Sequence, residues 1–233
     1  MTPKRIVFLA SGIFGAIGIL VSVVIIAING GFSGSGPSIF NPPTSKDLWT
    51  LGSNIVDGMN LTYSLTTTTA GRPNLTDWIV SMKFNDIDDK WNIDFKIQNG
   101  STSSTVKDIS ANYSQEQLLR TNPLTQQNEK FIQPIEGSIF AIRDIAREPK
   151  YLVVGAVWEK IFTGSSTIYA KIEGTDTIST PAGNYNVYTL GYNVGNSTSK
   201  IYLNKDLPLP IKAEVYDEND KILYEYELQT VSR

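Results

Sequence analysis

Residues 78 to 97 read Trp78-Ile-Val-Ser-Met-Lys-Phe-Asn-Asp-Ile-Asp-Asp-Lys-Trp-Asn-Ile-Asp-Phe-Lys-Ile97. Large apolar residues occupy every second position of 78–85 and again of 91–97, with polar residues between them. Because successive side chains of a strand point to opposite faces, this alternation predicts two strands that each bury one face. The short polar link at 86–90 predicts that the two strands form a hairpin.

Further strands are predicted on both sides of this hairpin. Residues 61–69 are rich in Thr, which suits a strand, and residues 102–109 give a weaker strand signal. Beyond residue 150 the pattern predicts strands only, at 151–162, 166–173 with an extension to 179 as an alternative, 185–192, 200–203, 211–216 and 221–228.

The last two predicted strands form the clearest hairpin. A loop centred on residues 218–219 aligns an apolar row on one face, with Val215 opposite Ile222, Ala213 opposite Tyr224 and Ile211 opposite Tyr226. On the other face, the same register brings Lys212 opposite Glu225, and such opposite-charge pairs stabilise a sheet.

Two helices are predicted between the two groups of strands. Ser114 and Gln117 have the spacing of a capping box, which starts the first helix. Pro134 suits the first turn of the second helix, in which Ile135, Ile139 and Ile142 form one buried stripe. The predicted fold class is therefore α+β, mainly β: a curved antiparallel sheet, an incomplete barrel, with two helices on one face.

The N-terminal stretch from residue 6 to residue 28 carries no charged residue. As a helix it would be about 35 Å long, enough to cross a hydrocarbon core of about 30 Å. Lys4 and Arg5 precede it, and the next basic residue is Lys46. The positive-inside rule therefore predicts a single-pass transmembrane helix, with residues 1–5 in the cytoplasm and the rest outside the cell membrane. A cleaved signal peptide is the alternative, although its apolar core is usually shorter.

Composition limits the chemistry that this chain can perform. Residues 29–45 are rich in Gly, Ser, Asn and Pro and predict a flexible linker to a domain at 46–233. All 23 acidic residues but only 18 of the 20 basic ones follow residue 28, a balance that does not fit nucleic-acid binding. The chain has no Cys and no His, which excludes disulfides and all His-dependent catalysis. We therefore expect no cofactor, no metal and no enzyme, with a two-carboxylate hydrolase as the remaining catalytic alternative.

A structural turn is predicted at Pro181, Ala182 and Gly183, because Pro fixes one turn position and Gly supplies a positive φ. Together with its flanks, residues 180–185 are similar to the Thr-Pro-Ala-Gly-x-Phe/Tyr turn of the DUF3108-like and LolA/LppX-type group of extracytoplasmic lipoprotein folds. Residues 200–216 resemble the strand, the Lys-Asp-Leu-Pro-x-Pro bend and the Lys-bearing strand of the same group. The resemblance covers about residues 153–228. It implies an incomplete β-barrel with helices at its mouth and, as in several members, binding of lipid or acyl chains.

Two further motifs concern modification and metal binding. Five asparagines begin Asn-x-Ser/Thr triplets, which are acceptors for N-linked glycans: Asn60, Asn74, Asn99, Asn112 and Asn196. The acidic groups at 86–89 and 217–220 lack the Gly and the distal Glu of a calcium loop, so we interpret both as solvated turns.

The sequence favours an extracytoplasmic binding domain for lipid or another apolar ligand. Ile135, Ile139 and Ile142 are the candidate lid of its cavity. The alternative is a non-catalytic accessory or structural subunit of a cell-envelope or membrane protein complex. A large apolar cavity under the helices would support the first hypothesis, and a filled interior with exposed apolar residues would support the second. The expected partners are the membrane, through residues 6–28, and either lipid or a membrane protein.

Overall fold

The structure is a computed structural model that describes residues 43–69, 72–163 and 166–233. The predicted membrane span at residues 6–28 lies outside these residues. Within them, no helix combines the length and the apolar character needed to cross a membrane.

The described residues form twelve strands, one α-helix and two short 3₁₀ helices. The strands are β1 (Leu48–Trp49), β2 (Asn60–Thr69), β3 (Arg72–Ile87), β4 (Lys90–Asn99), β5 (Thr105–Ser114), β6 (Lys150–Tyr151), β7 (Val157–Thr163), β8 (Ser166–Thr180), β9 (Gly183–Val194), β10 (Ser197–Leu203), β11 (Lys212–Tyr216) and β12 (Ile222–Ser232). The helix α1 spans Gln126–Glu136, and the 3₁₀ helices span Ser45–Asp47 and Ala141–Asp144.

Ten of the strands described here build one antiparallel sheet in the order β5-β4-β3-β2-β12-β11-β10-β9-β8-β7. Within β2 to β5, and again within β7 to β12, each strand pairs with the next strand along the chain. The sheet therefore consists of two meanders. The two meanders join where β12 pairs with β2, with Tyr226 opposite Leu65 and Leu228 opposite Tyr63. β1 and β6 form a separate two-stranded pair.

The hairpin that the alternation at 78–97 predicts is present as β3 and β4. Its apolar side chains face each other in pairs, such as Met82 opposite Phe95 and Phe84 opposite Ile93, and all four are buried. The polar residues between them lie on the opposite, outer face of the sheet. The inner face carries the core because only that face receives the large apolar side chains.

The helical part of the predicted fold class is wrong. The described residues contain one α-helix instead of two, no described helix is suited to span a membrane, and the sheet is large, antiparallel and open at β5 and β7. The helix predicted at Ser114 is absent because Ser114 is the last residue of β5. Its hydroxyl accepts a hydrogen bond from the N–H of Leu119, and its carbonyl accepts one from Leu118, so both close a turn.

The second predicted helix exists but lies earlier in the chain. It begins after the N-cap Thr125, whose side chain accepts a hydrogen bond from the N–H of Asn128, and it ends at Gly137. Pro134 therefore lies in its last turn instead of its first. The hydroxyl of Ser138 donates to the carbonyl of Pro134, which satisfies one acceptor at this helix end.

The register of the last hairpin also differs from the prediction. Val215 lies opposite Tyr224 and Ala213 opposite Tyr226, and Lys212 lies opposite Glu227 instead of Glu225. The shift arises because a bulge follows Val215 and a carboxylate oxygen of Asp217 accepts hydrogen bonds from the N–H groups of Asn219 and Lys221. A shift of two residues keeps every apolar side chain on the inner face.

Buried tyrosines make this fold sensitive to alkali. Burial raises the pKa of Tyr63, Tyr113 and Tyr226 above the ordinary value of 10.0. Above pH 10 the unfolded chain releases these phenolic protons while the folded chain keeps them, so the free energy of unfolding must fall as the pH rises. We predict that the last part of the rise in absorbance at 295 nm, which comes from the buried tyrosines, coincides with the change in far-ultraviolet circular dichroism in an alkaline titration. Tyrosine ionisation that is complete before the circular dichroism changes would contradict the prediction.

Candidate binding surfaces

The predicted apolar lid lies inside the core. Ile135, Ile139 and Ile142 are 0%, 0% and 1% exposed. A side chain with no surface that water can reach lines no cavity large enough to hold a water molecule. The structure thus packs these three residues against the inner face of the sheet, and binding of a ligand by them stays a prediction.

Aromatic rings fill the inner face around this stripe. Phe140 lies 6.3 Å from Phe95 and 5.5 Å from Tyr113, measured between ring centroids. Trp49 stacks on Trp158 at 5.7 Å and donates its indole N–H to the carbonyl of Leu207. The segment between β5 and β7 therefore occupies the inner face of the sheet.

An ionic cluster fixes α1 beside β5. Arg120 contacts the carboxylates of both Glu129 and Glu136, which lie on α1. The hydroxyl of Tyr113 on β5 donates to Glu136. The hydrogen bond with Glu129 raises the pKa of Arg120, so this guanidinium stays charged and holds the helix in place.

A polar pocket of about 560 Å³ lies where the two stretches that carry the family resemblance meet. Its lining residues are Asn184, Tyr185, Asn186, Tyr188, Asn204, Lys205, Asp206, Leu207 and Arg233. The amide of Asn204 donates to the carbonyl of Asn186 at 2.8 Å and ties the bend after β10 to β9. Sequence reasoning missed this pocket, because its two main walls are about 20 residues apart in the chain.

Lys205 is held at one side of this pocket. Its ammonium lies 3.3 Å from Asp47 and 5.6 Å from the ring centroid of Tyr188. Burial alone would lower the pKa of Lys205, but the contacts with Asp47 and Tyr188 raise it overall. The backbone N–H of Thr44 and the contact with Lys205 lower the pKa of Asp47, so both partners stay charged near neutral pH.

The Pro181-Ala182 turn closes the β8–β9 hairpin beside the same pocket. Thr180 lies opposite Gly183, whose φ is +134°, and the hydroxyl of Tyr185 donates to the carbonyl of Ala182 at 3.1 Å. Gly195, which looks like a looser loop glycine in the sequence, has a φ of +60° and lies against Glu218.

Replacing Gly183 with Val should strain this turn. A β-branched residue at positive φ costs on the order of 1–3 kcal/mol, so Gly183→Val should lower the melting temperature of the chain by several degrees. The matched control is Gly174→Val, because Gly174 has no positive φ and its added side chain meets open space. Equal melting temperatures for the two variants would contradict the strained turn.

Apolar side chains are exposed at one edge of the sheet. β7 is the last strand of the sheet, and its outer edge pairs with no other strand among the described residues. Val154 and Val157, at the start of this edge, are 55% and 51% exposed. Side chains engage part of the backbone of β7, because Lys150 donates to the carbonyl of Trp158 and the N–H of Lys160 donates to Glu159. At the other end of the sheet, the edge of β5 is partly covered by the segment that follows this strand, since the N–H of Thr121 donates to the carbonyl of Asn112.

Sequence reasoning missed this edge. It predicted one strand at 151–162, whereas the structure separates β6 from β7 at residues 152–156. Gly155 has a φ of +89°, which breaks the strand and turns Val154 outward from the core. An isolated Gly within a strand pattern is the signal that could have revealed the break.

The acidic groups belong to turns, as interpreted. The residues Asp88 and Asp89 connect β3 to β4. Among the residues that the structure describes, no group of three or more acidic side chains has an arrangement that could hold a metal ion.

Comparisons with known proteins give a weak likeness of fold. No known protein family and no curated protein matches the sequence. A predicted lipoprotein from Parabacteroides distasonis has 12% identity and a TM-score of 0.38, covering 78% of this chain and 99% of that protein. A predicted exported protein with a YmcC-like fold from Bacteroides fragilis has 12% identity and a TM-score of 0.36, covering 80% and 99%. Likenesses at this level carry no argument about function, and the specific resemblance to the LolA/LppX-type group stays a prediction.

Proposed function

We propose that this chain is a non-catalytic, extracytoplasmic interaction domain, an accessory component of a cell-envelope protein complex. An uncharged apolar stretch after two basic residues is typical of export segments, which supports a location outside the cytoplasm. The absence of His and Cys from the sequence leaves few routes to catalysis.

The observation that carries this proposal is a filled inner face combined with exposed valines at an open sheet edge. A carrier of acyl chains needs an apolar cavity, and the inner-face stripe of isoleucines lines none. An unpaired strand edge, in contrast, offers a row of backbone donors and acceptors to a strand of another protein. Val154 and Val157 add apolar area to the same edge.

Lipid binding is the first measurement that separates the accessory-subunit hypothesis from the lipid-carrier hypothesis. Because the inner face is filled, a fluorescent fatty-acid analogue should show no saturable binding to the full chain at micromolar concentration. The variant Ile139→Ala should unfold about 2–5 kcal/mol more easily, since it leaves a cavity in the core. Stoichiometric binding of the analogue to the parent chain would favour the lipid-carrier hypothesis instead.

The second measurement addresses the edge of β7. Native mass spectrometry of the full chain, extracted from its source cells in mild detergent, should show a discrete complex with at least one other polypeptide. Val157→Lys should abolish this complex, because it places a charge in an apolar contact at the edge. The matched control is Val106→Lys, a substitution at a residue of β5 that is 44% exposed, which should leave the complex intact.

Both variants should melt like the parent chain, since both side chains are exposed. An intact complex in the Val157→Lys variant would contradict the assignment of the edge. A chain that is always isolated alone would contradict the accessory role itself.

A further inference from the structure

The glycosylation triplet at Asn196 differs in its place in the fold from those at Asn60, Asn99 and Asn112. Asn196 and Gly195 form the two-residue turn between β9 and β10, where Val194 lies opposite Ser197. Gly195 has a φ of +60°, and a side chain at this position would lie 3.2 Å from the carbonyl oxygen of Glu218. The turn therefore packs against Glu218 at Gly195, and Asn196 is the second residue of the turn.

The side chains of this triplet have the exposure that a glycosyl-transferring enzyme needs. Asn196 and Thr198 are both exposed, whereas the middle residue, Ser197, is buried toward the core. In the described part of the chain, neither the Asn196 amide nor the Thr198 hydroxyl makes a hydrogen bond. The two groups that define the triplet are thus accessible together on the folded protein.

The side-chain oxygens of Asn60, Asn99 and Asn112 are already engaged in hydrogen bonds. The side-chain oxygen of Asn60 accepts a hydrogen bond from Ser81, and that of Asn112 accepts one from Asn92. The side-chain oxygen of Asn99 accepts hydrogen bonds from both Ser101 and Thr102 and holds the β4–β5 turn. All three asparagines are half-buried.

The hydroxyls at the third position of two of these triplets are also used. The hydroxyl of Thr62 shares a hydrogen bond with Ser81, and that of Ser114 accepts from the N–H of Leu119. An enzyme that binds the folded chain would have to break these contacts before it could reach the amide.

We propose that Asn196, in preference to Asn60, Asn99 and Asn112, is an N-glycosylation site of the folded protein. The donor is a saccharide linked through its anomeric carbon to a lipid phosphate or diphosphate. The side-chain nitrogen of Asn196 forms a bond to the anomeric carbon, and the bond from that carbon to the phosphate oxygen breaks. The lipid phosphate leaves with the electron pair, and one amide proton passes to a base of the transferase.

The test uses the folded full chain, purified without glycans and incubated with an oligosaccharyltransferase and its lipid-linked oligosaccharide. Peptide mapping should place a glycan on Asn196 and show Asn60, Asn99 and Asn112 unmodified. Asn196→Gln and Thr198→Val should each abolish the addition. Ser197→Ala should retain it, because the middle residue of the triplet is not read.

A second triplet serves as a control for enzyme competence. Asp88→Asn combined with Lys90→Thr creates an acceptor in the exposed β3–β4 turn, and this variant should gain one glycan more than the parent chain. Modification of the engineered triplet without modification of Asn196 would overturn the proposal. Modification of Asn60, Asn99 or Asn112 in the folded chain to the same extent as Asn196 would overturn it as well.

Discussion

The pairing of β12 with β2 is the interaction on which the rest of the structure depends. It joins the last strand of the domain to the first long one and makes a single sheet from two meanders. Alone, each meander would leave the edge of β2 or β12 unpaired and would form only part of the apolar inner face. Their union places Tyr63, Leu65, Tyr226 and Leu228 in the middle of the core, where none of them contacts water. This long-range pairing costs chain entropy, which the burial of these large side chains offsets.

Once the sheet is continuous, the segment between β5 and β7 buries its apolar residues by packing on the inner face of the sheet. Its apolar residues, including Ile132, Ile135 and Phe140, cover the inner face, and the ionic cluster around Arg120 holds α1 in position. The inner face is consequently used for stability. The surfaces proposed for recognition lie on the outside of the molecule, at the edge of β7 and at the β9–β10 turn.

These exterior features differ in the chemical groups that they expose. The edge of β7 combines backbone hydrogen-bonding groups with exposed valines, which suits a protein strand. The polar pocket places amides, Lys205 and Asp206 beside tyrosine rings, and its walls come from two separate parts of the chain. The β9–β10 turn presents an unpaired amide at an exposed position. A glycan at Asn196 would extend from that turn into solvent.

Much of the sheet follows directly from the sequence. The period-two alternation at residues 78–97 predicts the β3–β4 hairpin, and the alternation in the C-terminal part predicts β8 to β12 with errors of a few residues at their ends. Such patterns are local and reflect which side chains face the core. The helix signals were less reliable. The capping-box spacing at Ser114 was overridden because this residue pairs with Lys90 at the end of β5, and its hydroxyl then served a turn.

The amino-acid sequence alone established a mainly β domain that has no histidine or cysteine chemistry. Composition and alternation can be read within one segment, without knowing which other segment packs against it. Only the tertiary structure decided that the isoleucine stripe fills the core instead of covering a cavity, that Val157 is exposed at the start of the outer strand β7, and that Asn196 is exposed and unpaired whereas Asn60, Asn99 and Asn112 are half-buried and hydrogen-bonded. Each of these properties depends on residues far apart in the chain. The burial of a side chain and its hydrogen bonds depend on which distant residues come into contact with it. A local sequence pattern does not specify those tertiary contacts.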